Sequence, residues 1–120
     1  MLGLGTDIIE IRRIETAIAR EKFFKRVYTP SEQEWLKSRG QNMPQSAAGL
    51  FCAKEAIAKA CGTGFGAALS FQDIEIGHLD SGAPVVLRPE GRFALSISHC
   101  QEYATATAIV LDDERKKAGE

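Results

Sequence analysis

Hydrophobic and polar positions change rhythm about halfway along the chain. Leu2, Leu4, Ile8 and Ile9 make an extended opening, interrupted by Gly3 and Gly5 and carrying Asp7 near its end. This predicts a strand over 2–9 whose glycines let another backbone come close. From Glu10 the apolar residues Ile11, Ile14, Ala17 and Ile18 recur at helical spacing, with Arg12, Arg13, Glu15 and Arg20 between them. Phe23 to Tyr28 reads as a basic, aromatic connector. Thr29-Pro30-Ser31 followed by Glu32 and Glu34 predicts a second helix with Ser31 as its N-cap, ending near Gly40. After a loop from Gln41, Pro44 suits the first turn of a third helix that runs to Gly62.

Beyond the glycines at 62, 64 and 66 the pattern becomes extended. Phe71, Ile74 and Ile76 fall in one candidate strand, and Asp80-Ser81-Gly82 is turn chemistry leading into Pro84-Val85-Val86-Leu87, which predicts a hairpin. Phe93, Leu95 and Ile97 alternate with Ala94, Ser96 and Ser98 in a strand that ends at His99, and Tyr103 to Leu111 supplies a last one. The remainder, from about 112 to Glu120, is a charged tail. Helices fill the first half and strands most of the second, so the fold class expected is α+β, an antiparallel sheet packed against helices in a single domain over 1–120. No internal repeat or linker interrupts it.

Composition narrows the function. A chain of 120 residues is sized for one compact domain. Its 15 Lys and Arg against 16 Asp and Glu give a net charge of −1, so no global field draws it onto nucleic acid, and an anionic ligand must be held by local cations. The most apolar stretches, Ala47 to Ala53 and Ala106 to Leu111, are far shorter than the roughly 20 residues of a membrane-spanning helix. The first residues show no basic segment or apolar signal core. A soluble, cytoplasmic protein is expected. Cys52, Cys61 and Cys100 form no C-x-x-C pair, so they are expected as buried, reduced thiols without a disulfide or zinc role.

The third helix carries the unusual chemistry. Between Ala47 and Cys61 its only charges are Lys54, Glu55 and Lys59, and charges on so apolar a helix are costly unless paired or metal-bound. If the fold brings Asp7 to Glu55, the two carboxylates repel unless a cation lies between them, and such an oxygen-rich site suits Mg²⁺. The alternative is local: Asp7 accepts hydrogen bonds at its strand end and Glu55 pairs with Lys59 one turn on. Lys54 and Lys59 could neutralise phosphate oxygens, or lay their stems on the core and reach for water. Gly62-Thr63-Gly64 could let backbone N–H groups approach a phosphate, or simply stop the helix. His99 is either a ligand-facing donor or a histidine satisfied by its turn; His78 receives no role. Arg12, Arg13, Arg20, Lys22, Lys25 and Arg26 make the first helix basic, either a solvated face or a dock for a small acidic protein. Phe23, Phe24, Tyr28 and Trp35 are too scattered to stack bases.

Taken in order, the blocks Leu2-Gly3-Leu4-Gly5-Thr6-Asp7-Ile8-Ile9-Glu10, Arg26-Val27-Tyr28-Thr29, Phe51-Cys52-Ala53-Lys54-Glu55-Ala56, Lys59-Ala60-Cys61-Gly62-Thr63-Gly64, Asp73-Ile74-Glu75-Ile76, Gly82-Ala83-Pro84 and Leu95-Ser96-Ile97-Ser98-His99 with Tyr103-Ala104 resemble the holo-acyl-carrier-protein synthases, the short bacterial 4′-phosphopantetheinyl transferases. The resemblance implies a homotrimer with active sites at subunit interfaces. It also implies a reaction of fatty-acid synthesis, in which the phosphopantetheine arm of coenzyme A moves to a serine of apo acyl carrier protein and adenosine 3′,5′-bisphosphate leaves. By the same resemblance Asp7 and Glu55 hold Mg²⁺, and Glu55 or a water it orients serves as base. Lys59 offsets phosphate charge. Lys54, Gly62, His99 and the Ser81-Gly82-Ala83-Pro84 turn of a neighbouring subunit surround the coenzyme, while Arg13 and Arg20 on the basic first helix meet the acidic carrier. Two positions depart from the family pattern: Leu50 and Ala83 stand where members often carry a basic residue and a lysine. The segment between Leu87 and Leu95 is short, as in the compact branch of the family. A second reading, a coenzyme A-binding module without turnover, leaves the charges at Asp7, Glu55, Lys59 and His99 without a purpose.

Overall fold

The computed structural model describes residues 2–62 and 69–112. Strand β1 (Gly3–Glu10) is followed by helices α1 (Ile11–Ile18), α2 (Glu21–Val27), α3 (Pro30–Lys37) and α4 (Met43–Ala60), then by strands β2 (Glu75–His78), β3 (Pro84–Arg88), β4 (Arg92–His99) and β5 (Tyr103–Asp112). Short 3-10 turns precede α4 (Gly40–Asn42) and β2 (Phe71–Asp73). The α+β class and the antiparallel pairing agree with the sequence, but the strands divide into two ladders. One is three-stranded in the order β1-β5-β4 and the other is the expected β2–β3 hairpin.

Helix α4 lies across one face of the three-stranded ladder, and small residues set how close it comes. A Cβ on Gly3 would stand 1.8 Å from the Ala60 carbonyl oxygen, and one on Gly5 would stand 2.0 Å from that of Ala56. The neighbouring strand presents Ala104, Ala106 and Ala108 to the same helix, all fully or almost fully buried. Period-2 alternation then sends Leu4, Thr6 and Ile8 of β1 to the opposite face, where all three are exposed.

Several local expectations are corrected. The connector Phe23–Tyr28 is mostly helix α2, because Phe24 and Val27 fall on one side of a turn and are buried together. The N-cap of α3 is Thr29, not Ser31: Pro30 takes the first helical position, the Thr29 hydroxyl accepts from Glu32 N–H (3.4 Å) and the Glu32 carboxylate accepts from Thr29 N–H (2.8 Å). Ser31 instead donates to Glu75 (3.0 Å). The strand expected from Phe71 begins only at Glu75, because Ser70 and Asp73 close a capped turn over the residues before it. Cys52 is buried, but Cys61, just past α4, and Cys100, in the β4–β5 turn, are exposed. Thr63 to Gly66 and the tail beyond 112 lie outside the described residues. Among the described residues no helix is long and apolar enough to cross a membrane.

Lys54 is the largest correction. Its ammonium neither reaches water nor faces a ligand: the side chain is fully buried and ion-paired with Glu32, itself fully buried. The same carboxylate accepts from Thr29 N–H and from Ile76 N–H (2.8 Å each), so one side chain ties α3, α4 and β2 together. Burial pushes the Lys54 ammonium below its ordinary pKa, and Glu32 opposes that shift. Removing one member of such a pair strands the other charge in the core. We therefore expect Lys54→Met to cost about 3–5 kcal/mol in urea unfolding, and Glu32→Gln/Lys54→Met to recover part of the loss because no unpaired charge remains.

Candidate active site

Asp7 lies on the α4 side of β1, paired with Ala106 across the ladder. Its backbone carbonyl accepts from the Thr105 hydroxyl (2.8 Å), which holds that part of the strand in register. On α4, Cys52, Glu55 and Lys59 follow at helical spacing on one side, the side that the glycines of β1 allow to approach. The Lys59 ammonium bridges the two elements. It donates to the Thr6 carbonyl (3.0 Å) and pairs with Asp7 Oδ1 at 3.4 Å.

Glu55 is half-buried, and its pKa is raised first by burial and then by the negative charge of Asp7, with Lys59 working in the opposite direction. The two carboxylates thus feel one another although they are far apart along the chain. The purely local alternative, in which Glu55 pairs with Lys59, gives way to an Asp7–Lys59 pair between elements. Beneath them lies Cys52, whose position in the cluster the sequence reading missed; the signal was its place three residues before Glu55 on the same helix face. Its thiol donates to the Ala104 carbonyl (3.4 Å), and burial, followed by Asp7, pushes its pKa up to about 12. A thiol so placed stays protonated and is packing, not a nucleophile.

Two carboxylates and one ammonium leave an excess of negative charge at the meeting of β1 and α4. Among the described residues no three His, Cys, Asp or Glu side chains cluster as a complete metal cage. A pair of carboxylates is nevertheless the donor set that Mg²⁺ uses when waters and substrate phosphate oxygens complete its shell. Burial and, after it, repulsion from Asp7 raise the Glu55 pKa, and such a cation relieves the repulsion. The residues present therefore fit this ion.

The other expected site residues lie elsewhere in the single chain. His99 ends β4 opposite Ala104, which pairs in turn with Ile9, so it is exposed two strands from β1, about 10 Å at ordinary strand spacing. Ser81 and Gly82 belong to the exposed β2–β3 turn, where Gly82 has φ +92° and donates its N–H to the Leu79 carbonyl (2.8 Å), and the half-buried Pro84 opens β3 opposite His78. Gly62, at φ +80°, ends α4 in the left-handed conformation that suits glycine after a helix; Thr63 and Gly64 lie outside the described residues. Leu50 is buried in the core, so that position contributes packing and no cation. Arg13 and Arg20 line an open groove of about 580 Å³ between α1 and α2, floored by Ile9, Ile14, Phe23 and Phe51. Phe51 precedes Glu55 by one helical turn, so groove and carboxylates adjoin.

Residues 3–108 match the family model of the 4′-phosphopantetheinyl transferase superfamily. Among curated relatives, the holo-[acyl-carrier-protein] synthase of Chlamydia pneumoniae is 46% identical, over 92% of this chain and 98% of its own length. That of Fusobacterium nucleatum is 44% identical over 92% and 99%. Among solved structures, a holo-(acyl-carrier-protein) synthase from Bacillus anthracis in complex with CoA (3′,5′-ADP) superposes with a TM-score of 0.84 at 40% identity, covering 93% of this chain and 96% of that one. Helicobacter pylori holo-[acyl-carrier-protein] synthase in complex with coenzyme A gives 0.80 at 35% identity, covering 89% and 98%.

A raised carboxylate pKa sets the sign of a stability effect. The folded state holds the proton of Glu55 more tightly than the unfolded state does, so the carboxylate destabilises the fold increasingly as pH rises through its shifted value. In metal-free buffer containing chelator, Glu55→Gln should raise Tm at pH 7. The gain should vanish below the ordinary carboxylate pKa of 4.5, where both side chains are neutral. A thermal-unfolding series across pH measures both.

Proposed function

Because the chain belongs to the 4′-phosphopantetheinyl transferase superfamily and is an enzyme of that class, we propose that it transfers the 4′-phosphopantetheine arm of coenzyme A to a serine hydroxyl of apo acyl carrier protein, in the cytoplasm, for fatty-acid synthesis. The observation that carries this reading is the convergence of Asp7, Glu55 and Lys59 beside a groove with a basic rim. Similarity to synthases solved with coenzyme A supports the identity of the donor.

The chemistry follows from these side chains. Glu55, directly or through a water it orients, takes the proton of the carrier serine, a transfer that a positioned carboxylate assists. The serine oxygen attacks the diphosphate phosphorus that bears the pantetheine arm. The bond from that phosphorus to the bridging oxygen breaks, and adenosine 3′,5′-bisphosphate departs with that oxygen and its electron pair. Lys59, half exposed and already aimed at Asp7, supplies positive charge to the phosphate oxygens. Asp7 and Glu55 would hold Mg²⁺, which when bound offsets the charge of the diphosphate. Arg13 and Arg20 meet the acidic carrier at the groove rim, where complementary charge speeds encounter.

The assembly proposed is a homotrimer. The ladder face away from α4 exposes Leu4, Ile8 and Tyr103 at 58%, 65% and 44%, in neighbouring rows of β1 and β5. An apolar face of this kind is better covered by copies of itself than left in water. Assembly would also explain how His99, two strands from β1 within one chain, and the exposed turn at Ser81 and Gly82 contribute to a site: each would serve a neighbour.

Incubation with coenzyme A, Mg²⁺ and an apo carrier protein should add the mass of the arm to the carrier, and chelation of divalent ions should stop it. Asp7→Ala should lower turnover about 10²–10³-fold without unfolding the chain, and Glu55→Ala about 10²–10⁴-fold. Near-normal turnover in either variant would remove the metal assignment. Ile8→Arg should sediment as a monomer and lose transfer; a variant that remains trimeric would place the subunit interface on another face.

A further inference from the structure

Helix α2 contributes Phe23 to the groove, yet it has only seven residues and no glycine at its C-terminus. So short a helix does not hold itself together in water, and its last carbonyls need partners. Tyr28 N–H returns to the Phe24 carbonyl (3.1 Å). The next partner comes from far along the chain: the side-chain amide of Gln72 lies 3.0 Å from the carbonyl oxygens of Lys25, Arg26 and Tyr28. Gln33 donates to the Tyr28 carbonyl as well (2.7 Å), which occupies both of its lone pairs.

Gln72 is well placed to act as a fixed cap. It belongs to the 3-10 turn Phe71–Asp73, which Ser70 and Asp73 lock through bonds of 2.8 and 3.0 Å. Its neighbour Phe71 stacks on Phe51 (5.7 Å between centroids), and Phe51 stacks on Phe23 of α2 (6.2 Å). The turn therefore grips α2 twice, once by its carbonyls and once through the aromatic ladder that floors the groove. Arg26 lies over the Phe23 ring, so its guanidinium is held against that floor.

We propose that Gln72 is a positioning residue for carrier docking: by capping α2 from the β2 side of the molecule, it holds Phe23 and the basic residues around it in the geometry that the acidic partner meets. The proposal rests on the transferase reading above. Gln72 touches neither the carboxylates nor the phosphates assigned to the reaction. Its loss acts on recognition of the protein substrate and leaves the chemical step alone.

Steady-state transfer by the full chain, with coenzyme A and carrier varied separately, tests this. Gln72→Glu keeps the shape but replaces the donor amide by a group that repels the three carbonyls; Gln72→Ala removes it. Both should raise KM for the carrier about 3- to 10-fold, the size of one lost hydrogen bond, with kcat and KM for coenzyme A unchanged. Amide exchange should quicken in residues 21–28 and stay as in the wild type along α4. Arg20→Glu, which alters the groove rim directly, is the control and should also raise the carrier KM. If Arg20→Glu raises it and the Gln72 variants do not, the proposal fails while the docking reading stands. If exchange quickens along the whole chain, or kcat falls in step, Gln72 is only structural and the proposal fails. If neither position matters, docking at this groove falls and takes the proposal with it; a wild-type chain that transfers nothing overturns the transferase reading itself.

Discussion

The close approach of β1 to α4 is the contact on which the rest depends. It exists because two positions in β1 have no side chain: a methyl at Gly3 or Gly5 would overlap the carbonyl oxygens of Ala60 or Ala56. Interiors are packed too tightly to absorb such an overlap without moving the helix. With the helix at that distance, Lys59 can reach Thr6 and Asp7, and burial together with the Asp7 charge raises the pKa of Glu55. The site is thus a consequence of backbone proximity, and the charged residues occupy a junction that the glycines create.

A second polar knot, away from the site, keeps α4 in place on its other side. The Glu32 carboxylate accepts from Lys54, from Thr29 N–H and from Ile76 N–H, all in the dry interior. One acidic group thereby caps a helix, neutralises a buried ammonium and anchors the hairpin. Helix α4 bears two lysines five positions apart with opposite fates. Lys54 is sealed against a carboxylate from α3, whereas Lys59 is half in water and available to an anion. Their difference comes from what packs against each side of the helix.

Much of the architecture was legible along the chain. Helical spacing at Ile11, Ile14 and Ile18, the alternation from Phe93 to Ile97, and the turn residues at Asp80-Ser81-Gly82 report local preferences that the fold keeps. Errors arose where two local signals competed. Thr29 and Ser31 are both good caps, and only the position of Pro30 and the reach of Glu32 decide between them. Helix α2 is too short to show a period, and its charges mask the shared burial of Phe24 and Val27. Glu55 and Lys59, one turn apart, suggested a local pair, but Asp7 was the nearer partner for the ammonium.

What the amino-acid order determined by itself was the kind of each element and the short list of side chains with chemistry to offer: Asp7, Glu55, Lys59 and a basic first helix. Tertiary structure alone decided which of them meet. It brought Lys59 to Asp7 with Glu55 on the same side of α4, removed Lys54 into an ion pair with Glu32, left His99 two strands from β1, and buried Cys52 on the face of α4 that carries Glu55. The reason is one of range. Propensity and periodicity act over a few residues, whereas burial, ion pairing and a shifted pKa depend on neighbours that only packing supplies.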